Sequence, residues 1–217
     1  MKLSDQLYEK AIDLWREAAH KPFVLAMAKG TLDEARFRRY MIQDYLYLLD
    51  YIGILKGTLE CTDDPALKSF LTGVIAETER ETTSVHVPNM KKIGVTDEDI
   101  SEAERFPVII EYVGYMGRQL ANEGLLAGLT ALLQCSWVYA YIGETILERY
   151  PEETEKSPYK SWFDSYAGPG YKEANSRWVK VLDEEAKEIS GEEQERLCRI
   201  FATCAGYENR FWDELYQ

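Results

Sequence analysis

Apolar residues recur three and four positions apart along almost the whole chain, and this spacing constrains the fold more than any other feature. The alternation of apolar and polar residues that marks a half-buried strand is scarce. Hydrophobic residues make up 46% of the 217 residues, which is enough to form a sizeable core. The sequence therefore predicts an all-α fold, a single-domain helical bundle over residues 1–217.

Glycine, proline and clusters of polar residues predict where the helices end. Ser4 is a candidate cap for the first helix, Gly30 and Gly94 are predicted helix ends, and Gly191 is predicted to lie between the last two helices. The segment TDEDIS is interpreted as a loop or short turn, and PEETEKSP and AGPG as breaks. The helices are expected over about 4–20, 22–28, 31–60 or 33–60, 65–91, 107–121, 124–150, 159–166, 171–189 and 192–216, with the third helix starting at Thr31 or Asp33.

The charge balance and the N-terminal sequence narrow the class of protein. A formal net charge of −13 repels phosphate backbones, so direct binding to nucleic acid is not expected. The N-terminal segment does not resemble a signal peptide, and no run of about 18 apolar residues predicts a membrane span. The four cysteines form no CxxC motif, so reduced thiols in a cytoplasmic protein are expected. Cys61, Cys198 and Cys204 are interpreted as structural.

Two carboxylates lie in the middle of apolar helix faces. Asp44 shares a predicted face with Tyr47 and Tyr51, and Glu208 shares one with Phe211. Burying a carboxylate that has no partner costs several kcal/mol. Each acid must therefore be hydrogen-bonded to a partner, protonated, or used to bind a ligand. One interpretation is an acid bonded to a tyrosine or a helix end. The other is a pocket for a cationic or hydrogen-bonding ligand.

The segment LLQCSWVYAYIGE places Cys135 on a helix face with Tyr139 one turn later and Gly124 and Gly128 before it. Glycine inside a helix costs about 0.5–1 kcal/mol relative to alanine, so some other interaction should compensate. The glycines indicate either close packing of two helices or room for a flat ligand beside the thiol. A lone buried cysteine is most often a small apolar residue.

The chain is rich in tyrosine, with 15 residues of this type. Tyr112 and Tyr115 share a predicted helix face, and Tyr166 ends the segment SWFDSY. Buried tyrosine hydroxyls need hydrogen-bond partners, and a polar ligand is one way to supply them.

Other chemistries have weaker signals. The pair Glu17-x-x-His20 is half of a di-iron motif whose second half is missing, so no metal site is predicted. The chain has two histidines and no GxSxG motif, which disfavours a Ser–His–Asp site. GRQLANEGLLAG lacks the lysine and the setting of a phosphate loop. His20 is either a haem ligand or, more commonly for such a residue, a capping or core histidine.

Five segments, in this order and spacing, carry a specific resemblance over nearly the whole chain: HKPFVLAMAKGTL, FRRYMIQDYLYL, CSWVYAYIG, WFDSYAG and ENRFWDELY. Together they resemble the TenA family, also called thiaminase II. The resemblance implies a haem-oxygenase-like helical bundle that binds no haem or other cofactor and assembles as a homotetramer. It also implies release of ammonia from 4-amino-5-aminomethyl-2-methylpyrimidine, or cleavage of thiamin, to give 4-amino-5-hydroxymethyl-2-methylpyrimidine for thiamin salvage.

The resemblance implies a role for each matching residue. The nucleophile is Cys135, the pyrimidine-recognising carboxylate is Asp44, and the catalytic glutamate is Glu208. The implied pocket aromatics are Tyr47, Tyr112, Tyr139, Tyr166 and Phe211. Helix spacing alone adds Tyr51 as a pocket residue.

Because it has Cys135, this chain resembles the cysteine-bearing branch of the family, which includes the thiaminase activity. The preference between thiamin and its pyrimidine fragment stays open. Two non-enzymatic alternatives also remain, a pyrimidine-binding or carrier protein and an interaction protein with a vestigial pocket. Descriptions of the family as transcriptional activators conflict with the charge of −13.

Overall fold

The computed structural model describes the backbone of all 217 residues and every side chain except that of Val85. The described chain contains helices and turns but no strand, which confirms the all-α prediction. The α-helices are α1 (Leu3–Ala19), α2 (Pro22–Ala28), α3 (Glu34–Glu60), α4 (Pro65–Glu81), α5 (Val87–Lys92), α6 (Asp97–Glu102), α7 (Pro107–Glu123), α8 (Leu125–Arg149), α9 (Pro151–Lys156), α10 (Lys160–Ala167), α11 (Pro169–Glu185) and α12 (Gly191–Tyr216).

The chain divides into two compact units. The terminal unit consists of Met1–Leu32 and Leu129–Gln217, and the central unit is Asp33–Gly128. The prediction of one domain over residues 1–217 stays a prediction.

In the terminal unit, α1 packs along α12 and also contacts α11 and α2. Trp15 of α1 and Trp212 of α12 are fully buried. The backbone N–H and the hydroxyl of Ser4 both donate to the Asp183 carboxylate, at 2.9 and 2.8 Å. The residue that precedes α1 as its cap is Lys2, so the prediction that Ser4 caps this helix is wrong. Asp183 of α11 compensates the helix N-terminus instead.

In the central unit, α3 packs against α4 and α7. Asp33 caps α3 by accepting hydrogen bonds from the backbone N–H groups of Ala35 and Arg36. Gln43 ties α3 to the start of α7, because its amide donates to the Glu104 carbonyl and accepts from the Phe106 N–H. These bonds fix the part of α3 that carries Asp44.

The helix predicted over 65–91 is interrupted. The α4 helix ends at Glu81, a π-helical turn covers Thr82–His86, and α5 follows. The N–H of Val87 bonds to the Thr82 carbonyl, five residues earlier. Pro88 has no N–H to donate to the carbonyl four residues before it, and its ring would clash with that carbonyl. A wider turn before the proline relieves both problems.

Two segments predicted to be irregular form short helices instead. TDEDIS lies in α6, because Thr96 and Asp99 form a reciprocal capping box. PEETEKSP contains α9, in which Pro151 occupies the first turn and Glu152 follows it there. Proline at the start of a helix loses no hydrogen bond, and acidic residues favour the N-terminal end.

One helix, α8, is long and apolar enough to cross a membrane by length and composition alone. An 18-residue window in it has a mean hydropathy of 1.5, and 67% of that window is buried inside the folded chain. The sequence interpretation missed this window because polar residues such as Gln134 interrupt the apolar run. Burial of that extent is typical of a core helix.

Candidate active site

Glu208 and Cys135 lie on the two long helices of the terminal unit. The α12 helix buries Glu208, which is 2% exposed, and α8 holds Cys135 partly exposed. In the central unit Asp44 is 4% exposed on α3. Both acids therefore point into the protein, as the helix-face pattern predicts.

The four thiols have different environments. Burial and the charge of Glu208 raise the pKa of Cys204 well above its ordinary value, and burial also raises the pKa of Cys198. These two thiols remain protonated at neutral pH, which fits their structural interpretation. Cys61, also predicted to be structural, is exposed at the end of α3. Cys135 differs from all three, because it is partly exposed on the long helix α8.

Aromatic rings connect three of the predicted pocket residues within the terminal unit. The rings of Tyr139 and Tyr166 meet edge to face with centroids 4.9 Å apart. The ring centroid of Trp212 lies 5.6 Å from that of Tyr139 and 5.7 Å from that of Phe211. Trp162 lies 4.6 Å from Tyr166. The sequence predicts Trp212 on the apolar face around Glu208 but gives neither Trp162 nor Trp212 a place in the pocket, although both lie within the family-like segments.

The pairing of Tyr139 with Tyr166 depends on a glycine one turn after Tyr139. A Cβ atom at Gly143 would lie 3.0 Å from the backbone N of Ala167 and 3.2 Å from the backbone O of Phe163. Only a residue without a side chain lets the α10 backbone approach α8 this closely. Gly143 therefore sets the position of Tyr166.

In the central unit, the buried carboxylate of Asp44 is paired with a histidine. Nε2 of His86 lies 2.6 Å from Oδ2 of Asp44, and each side chain is 6% exposed. The sequence predicts a tyrosine or a helix end as the structural partner of Asp44, and it gives His86 no role. The available signal was the proline two residues after His86, which predicts a disturbed helix at this point.

The electrostatics of this pair include Glu81 at the end of α4. Burial lowers the pKa of His86, but the hydrogen bond to Asp44 and the charges of Asp44 and Glu81 raise it above its ordinary value. Burial, followed by the charge of Asp44, raises the pKa of Glu81, although the positive charge of His86 opposes that shift. His86 and Glu81 therefore each bind a proton more tightly than the isolated side chain would.

Three of the predicted pocket tyrosines form one group in the central unit. Tyr47 and Tyr112 stack with ring centroids 5.5 Å apart and ring planes 25° apart. The ring of Tyr51 lies 5.8 Å from that of Tyr47. All three are 6% exposed or less. These three rings therefore form a buried aromatic group on α3 and α7.

The glycines before Cys135 have structural roles. Gly124 ends α7 with a φ of +81°. A Cβ atom at Gly128 would lie 2.7 Å from Leu120 Cδ1 and 3.1 Å from Thr58 Oγ1. The hypothesis that Gly128 makes room for a ligand is therefore wrong, because neighbouring side chains already fill that space.

His20 is a capping histidine. Its ring nitrogen Nδ1 lies 2.6 Å from the Arg16 carbonyl, and the residue ends α1. The guanidinium of Arg149 lies 3.0 Å from Nε2, so neither ring nitrogen is available as a haem ligand. No group of three or more potential metal ligands occurs among the side chains that the structure describes.

The predicted site residues divide between the two units. Cys135, Tyr139, Tyr166, Glu208 and Phe211 belong to the terminal unit, and Asp44, Tyr47, Tyr51 and Tyr112 belong to the central unit. Their assignment to one reaction stays a prediction.

A family model described as the TENA/THI-4/PQQC family matches residues 8–217. The chain belongs to this family. A relative from Halalkalibacterium halodurans, named aminopyrimidine aminohydrolase, is 33% identical over all of this chain and 96% of that protein. A Helicobacter pylori protein of the same name is 28% identical, with 100% of both chains covered.

A solved structure described as a TenA homologue from P. horikoshii OT3 has the same fold. Its TM-score is 0.84 at 26% identity, with 100% of this chain and 99% of that chain covered. This likeness confirms the all-α, haem-oxygenase-like fold that the sequence resemblance implies.

Proposed function

We propose that this protein is an aminopyrimidine aminohydrolase that releases ammonia from 4-amino-5-aminomethyl-2-methylpyrimidine. The observation that carries this proposal is the 33% identity, over the full chain, to a relative named aminopyrimidine aminohydrolase. Relatives named for thiamine biosynthesis support a place in thiamin salvage. Thiamin itself is the second proposed substrate.

The reaction exchanges an amine for a hydroxyl on the methylene group next to the pyrimidine ring. Direct displacement is difficult because the electron-poor ring does not stabilise a cation at that methylene. A nucleophile that first adds to the ring divides this difficult step into easier ones. Cys135 is the proposed nucleophile because the family resemblance places the nucleophile at this residue. Its partial exposure is compatible with that role, whereas burial raises the pKa of Cys198 and Cys204.

In the proposed sequence, the Cys135 thiolate adds to the ring carbon beside the one that bears the aminomethyl group. A ring nitrogen takes up a proton as aromaticity is lost. The ring electrons then expel the amine, which leaves as ammonia with a proton from Glu208, and an exocyclic methylene remains. Water adds to that methylene and returns a proton to Glu208. The ring nitrogen loses its proton as the thiolate departs.

Glu208 suits this proton transfer because it is a buried carboxylate on α12. Asp44 is the proposed acceptor for the exocyclic 4-amino group and so orients the ring. The proposed stacking partners for the ring are the tyrosines Tyr47, Tyr112, Tyr139 and Tyr166, together with Phe211. Tyr51 is a further proposed pocket residue, because its ring lies next to that of Tyr47.

The proposed assembly is a homotetramer, as the family resemblance implies. The proposed location is the cytoplasm, as the absence of a CxxC motif among the four cysteines favours. Leu49 and Ile110 in the central unit are exposed large apolar side chains, as are Tyr8 and Tyr216 in the terminal unit. Single exposed apolar side chains are normal on a protein surface, so the proposal of a homotetramer rests on the family resemblance. Light scattering on the eluting peak of a sizing column measures the number of copies.

The direct test is ammonia release by the purified full-length protein, with the aminomethylpyrimidine and thiamin as separate substrates. We expect turnover of the aminomethylpyrimidine and formation of one hydroxymethylpyrimidine per ammonia. Binding of the hydroxymethylpyrimidine without turnover of either substrate would favour a carrier protein instead. No turnover and no thermal shift with either compound would contradict a pyrimidine site altogether.

A further inference from the structure

The π-helical turn places a histidine beside the carboxylate proposed to recognise the substrate. A π turn is closed by hydrogen bonds between residues five apart, so Glu81 and His86 follow one another along one side of the turn. In a regular helix, at about 100° per residue, two residues five apart would point about 140° away from each other. Single π turns inside α-helices occur often at functional sites.

The contact itself is short, buried and between groups of complementary chemistry. Nε2 of His86 lies 2.6 Å from Oδ2 of Asp44, with both side chains 6% exposed. A charge-assisted hydrogen bond in such a setting is stronger and more directional than one at the surface. In the part of the chain that the structure describes, this is the only hydrogen bond to the Asp44 carboxylate. The second oxygen, Oδ1, is therefore available to accept another.

We propose that His86 is a positioning residue for the hydrolysis reaction: it fixes the Asp44 carboxylate through Oδ2, so that Oδ1 accepts the 4-amino group of the pyrimidine. This inference rests on the proposed function. His86 does not touch the substrate in this scheme and acts through Asp44 alone. It differs from the family-derived roles, which assign nothing to this histidine.

Charge balance supports the proposal. The groups that face His86 are Asp44 from α3 and Glu81 from α4, and Arg80 interacts with Glu81. A protonated His86 compensates the negative charge of Asp44, which would otherwise be buried with no positive charge paired to it. An ionised carboxylate accepts hydrogen bonds only, which matches the N–H donors of an amino group.

A packing role alone is the competing explanation, and three variants distinguish the two. His86→Leu removes the donor, whereas His86→Gln keeps an N–H group near the position of Nε2. His20→Gln is the matched control, because His20 is exposed and its ring contacts the Arg16 carbonyl and Arg149, neither of which is a proposed site residue. Thermal melting of each variant checks that it is folded.

We expect His86→Leu to raise KM for the aminomethylpyrimidine about tenfold or more, with kcat changed less than about threefold. We expect His86→Gln to restore KM to within about threefold of wild type, and His20→Gln to change neither constant. A folded His86→Leu protein with an unchanged KM overturns the inference. If the wild type itself neither hydrolyses nor binds the pyrimidines, the proposed function fails. That result is distinguishable from an active wild type whose KM is unchanged in His86→Leu.

A second measurement does not depend on the leucine variant being folded. The chain has only two histidines, so nitrogen-15 NMR resolves both imidazoles, and His20→Gln assigns them. We expect Asp44→Asn to lower the pKa of His86, and hydroxymethylpyrimidine to move the His86 signals without moving those of His20. An unchanged His86 titration in Asp44→Asn, or equal ligand shifts at both histidines, would contradict the contact on which the inference depends.

Discussion

Nε2 of His86 donates to Oδ2 of Asp44 over 2.6 Å, and the two side chains are almost completely removed from solvent. The buried carboxylate on α3 is thus compensated by a residue on the π turn. This compensation lets an acid occupy an apolar helix face without the several kcal/mol that an unpaired buried charge costs.

The His86–Asp44 pair predicts a pH dependence of stability. Burial lowers the pKa of His86, but Asp44 and Glu81 raise it by more, so the folded value exceeds the unfolded value of about 6.5. The contribution of His86 to stability is therefore complete below about pH 6.5 and is lost as pH rises through the folded pKa. Denaturant unfolding of wild type and His86→Gln should show a stability difference that shrinks as pH rises. A difference that grows would contradict this assignment.

Gly143→Ala is expected to damage both stability and substrate binding. The new methyl group would lie 3.0 to 3.3 Å from backbone atoms of Phe163, Tyr166 and Ala167, and a backbone cannot rotate aside as a side chain can. We expect a loss of about 1–3 kcal/mol in unfolding free energy and a raised KM as Tyr166 moves. Denaturant melts and steady-state kinetics measure the two effects.

Gly206→Ala is the matched control for that substitution. Gly206 lies inside α12, and a Cβ atom there would have no neighbour within 4 Å. Alanine has the higher helix propensity, so we expect a gain of about 0.5–1 kcal/mol. Equal losses at both glycines would show that close packing at Gly143 is not the cause.

Lys21→Met is expected to destabilise the terminal unit. The Lys21 ammonium lies 2.8 Å from both Glu17 and Asp213, and its side chain is 10% exposed. Burial lowers the pKa of Lys21, but the bonds to Asp213 and Glu17 raise it by more. We expect a loss of about 1–2 kcal/mol at neutral pH, because two charge-assisted hydrogen bonds disappear while the half-exposed acids regain water.

The sign of the pH effect follows from the raised pKa of Lys21. Its stabilising contribution is present below the unfolded pKa of about 10.4 and is lost as pH rises through the folded pKa. Lys160→Met is the control, because Lys160 bonds Asp164 at the surface of the same unit and solvent screens that pair. Thermal melts should show little change for this variant, and a change as large as that of Lys21→Met would contradict the account.

Glu208→Gln is expected to lower kcat by about 10²–10⁴-fold, the usual contribution of a general acid or base. The amide has nearly the same shape, so KM should change much less than kcat. Steady-state ammonia release measures both constants, and a kcat within threefold of wild type would remove Glu208 from the proton-transfer role.

The sequence predicted those features that follow from regular helices. The spacing of apolar residues at the helical repeat of 3.6 residues placed Asp44 and Glu208 on buried faces of α3 and α12. Both side chains are buried as expected. The same reasoning treated residues 65–91 as one uniform helix. That assumption turns Glu81 and His86 to different sides, whereas the π turn before Pro88 brings them to one side.

Contacts between helices were less predictable than helix faces. The close approach of α10 to α8 at Gly143 depends on chain paths that no local pattern specifies. Gly128 has the same residue type and a similar sequence environment, yet it packs against Leu120 and Thr58. The indole rings of Trp162 and Trp212 join the aromatic group for the same tertiary reason.

Ammonia release by Cys135→Ser tests most directly whether hydrolysis depends on this one thiol. Cys204→Ser is the control, because burial and Glu208 keep that thiol protonated. We predict that Cys135→Ser loses turnover of the aminomethylpyrimidine and still binds it, whereas a folded Cys204→Ser retains turnover. Full turnover by Cys135→Ser on both the aminomethylpyrimidine and thiamin would contradict the account.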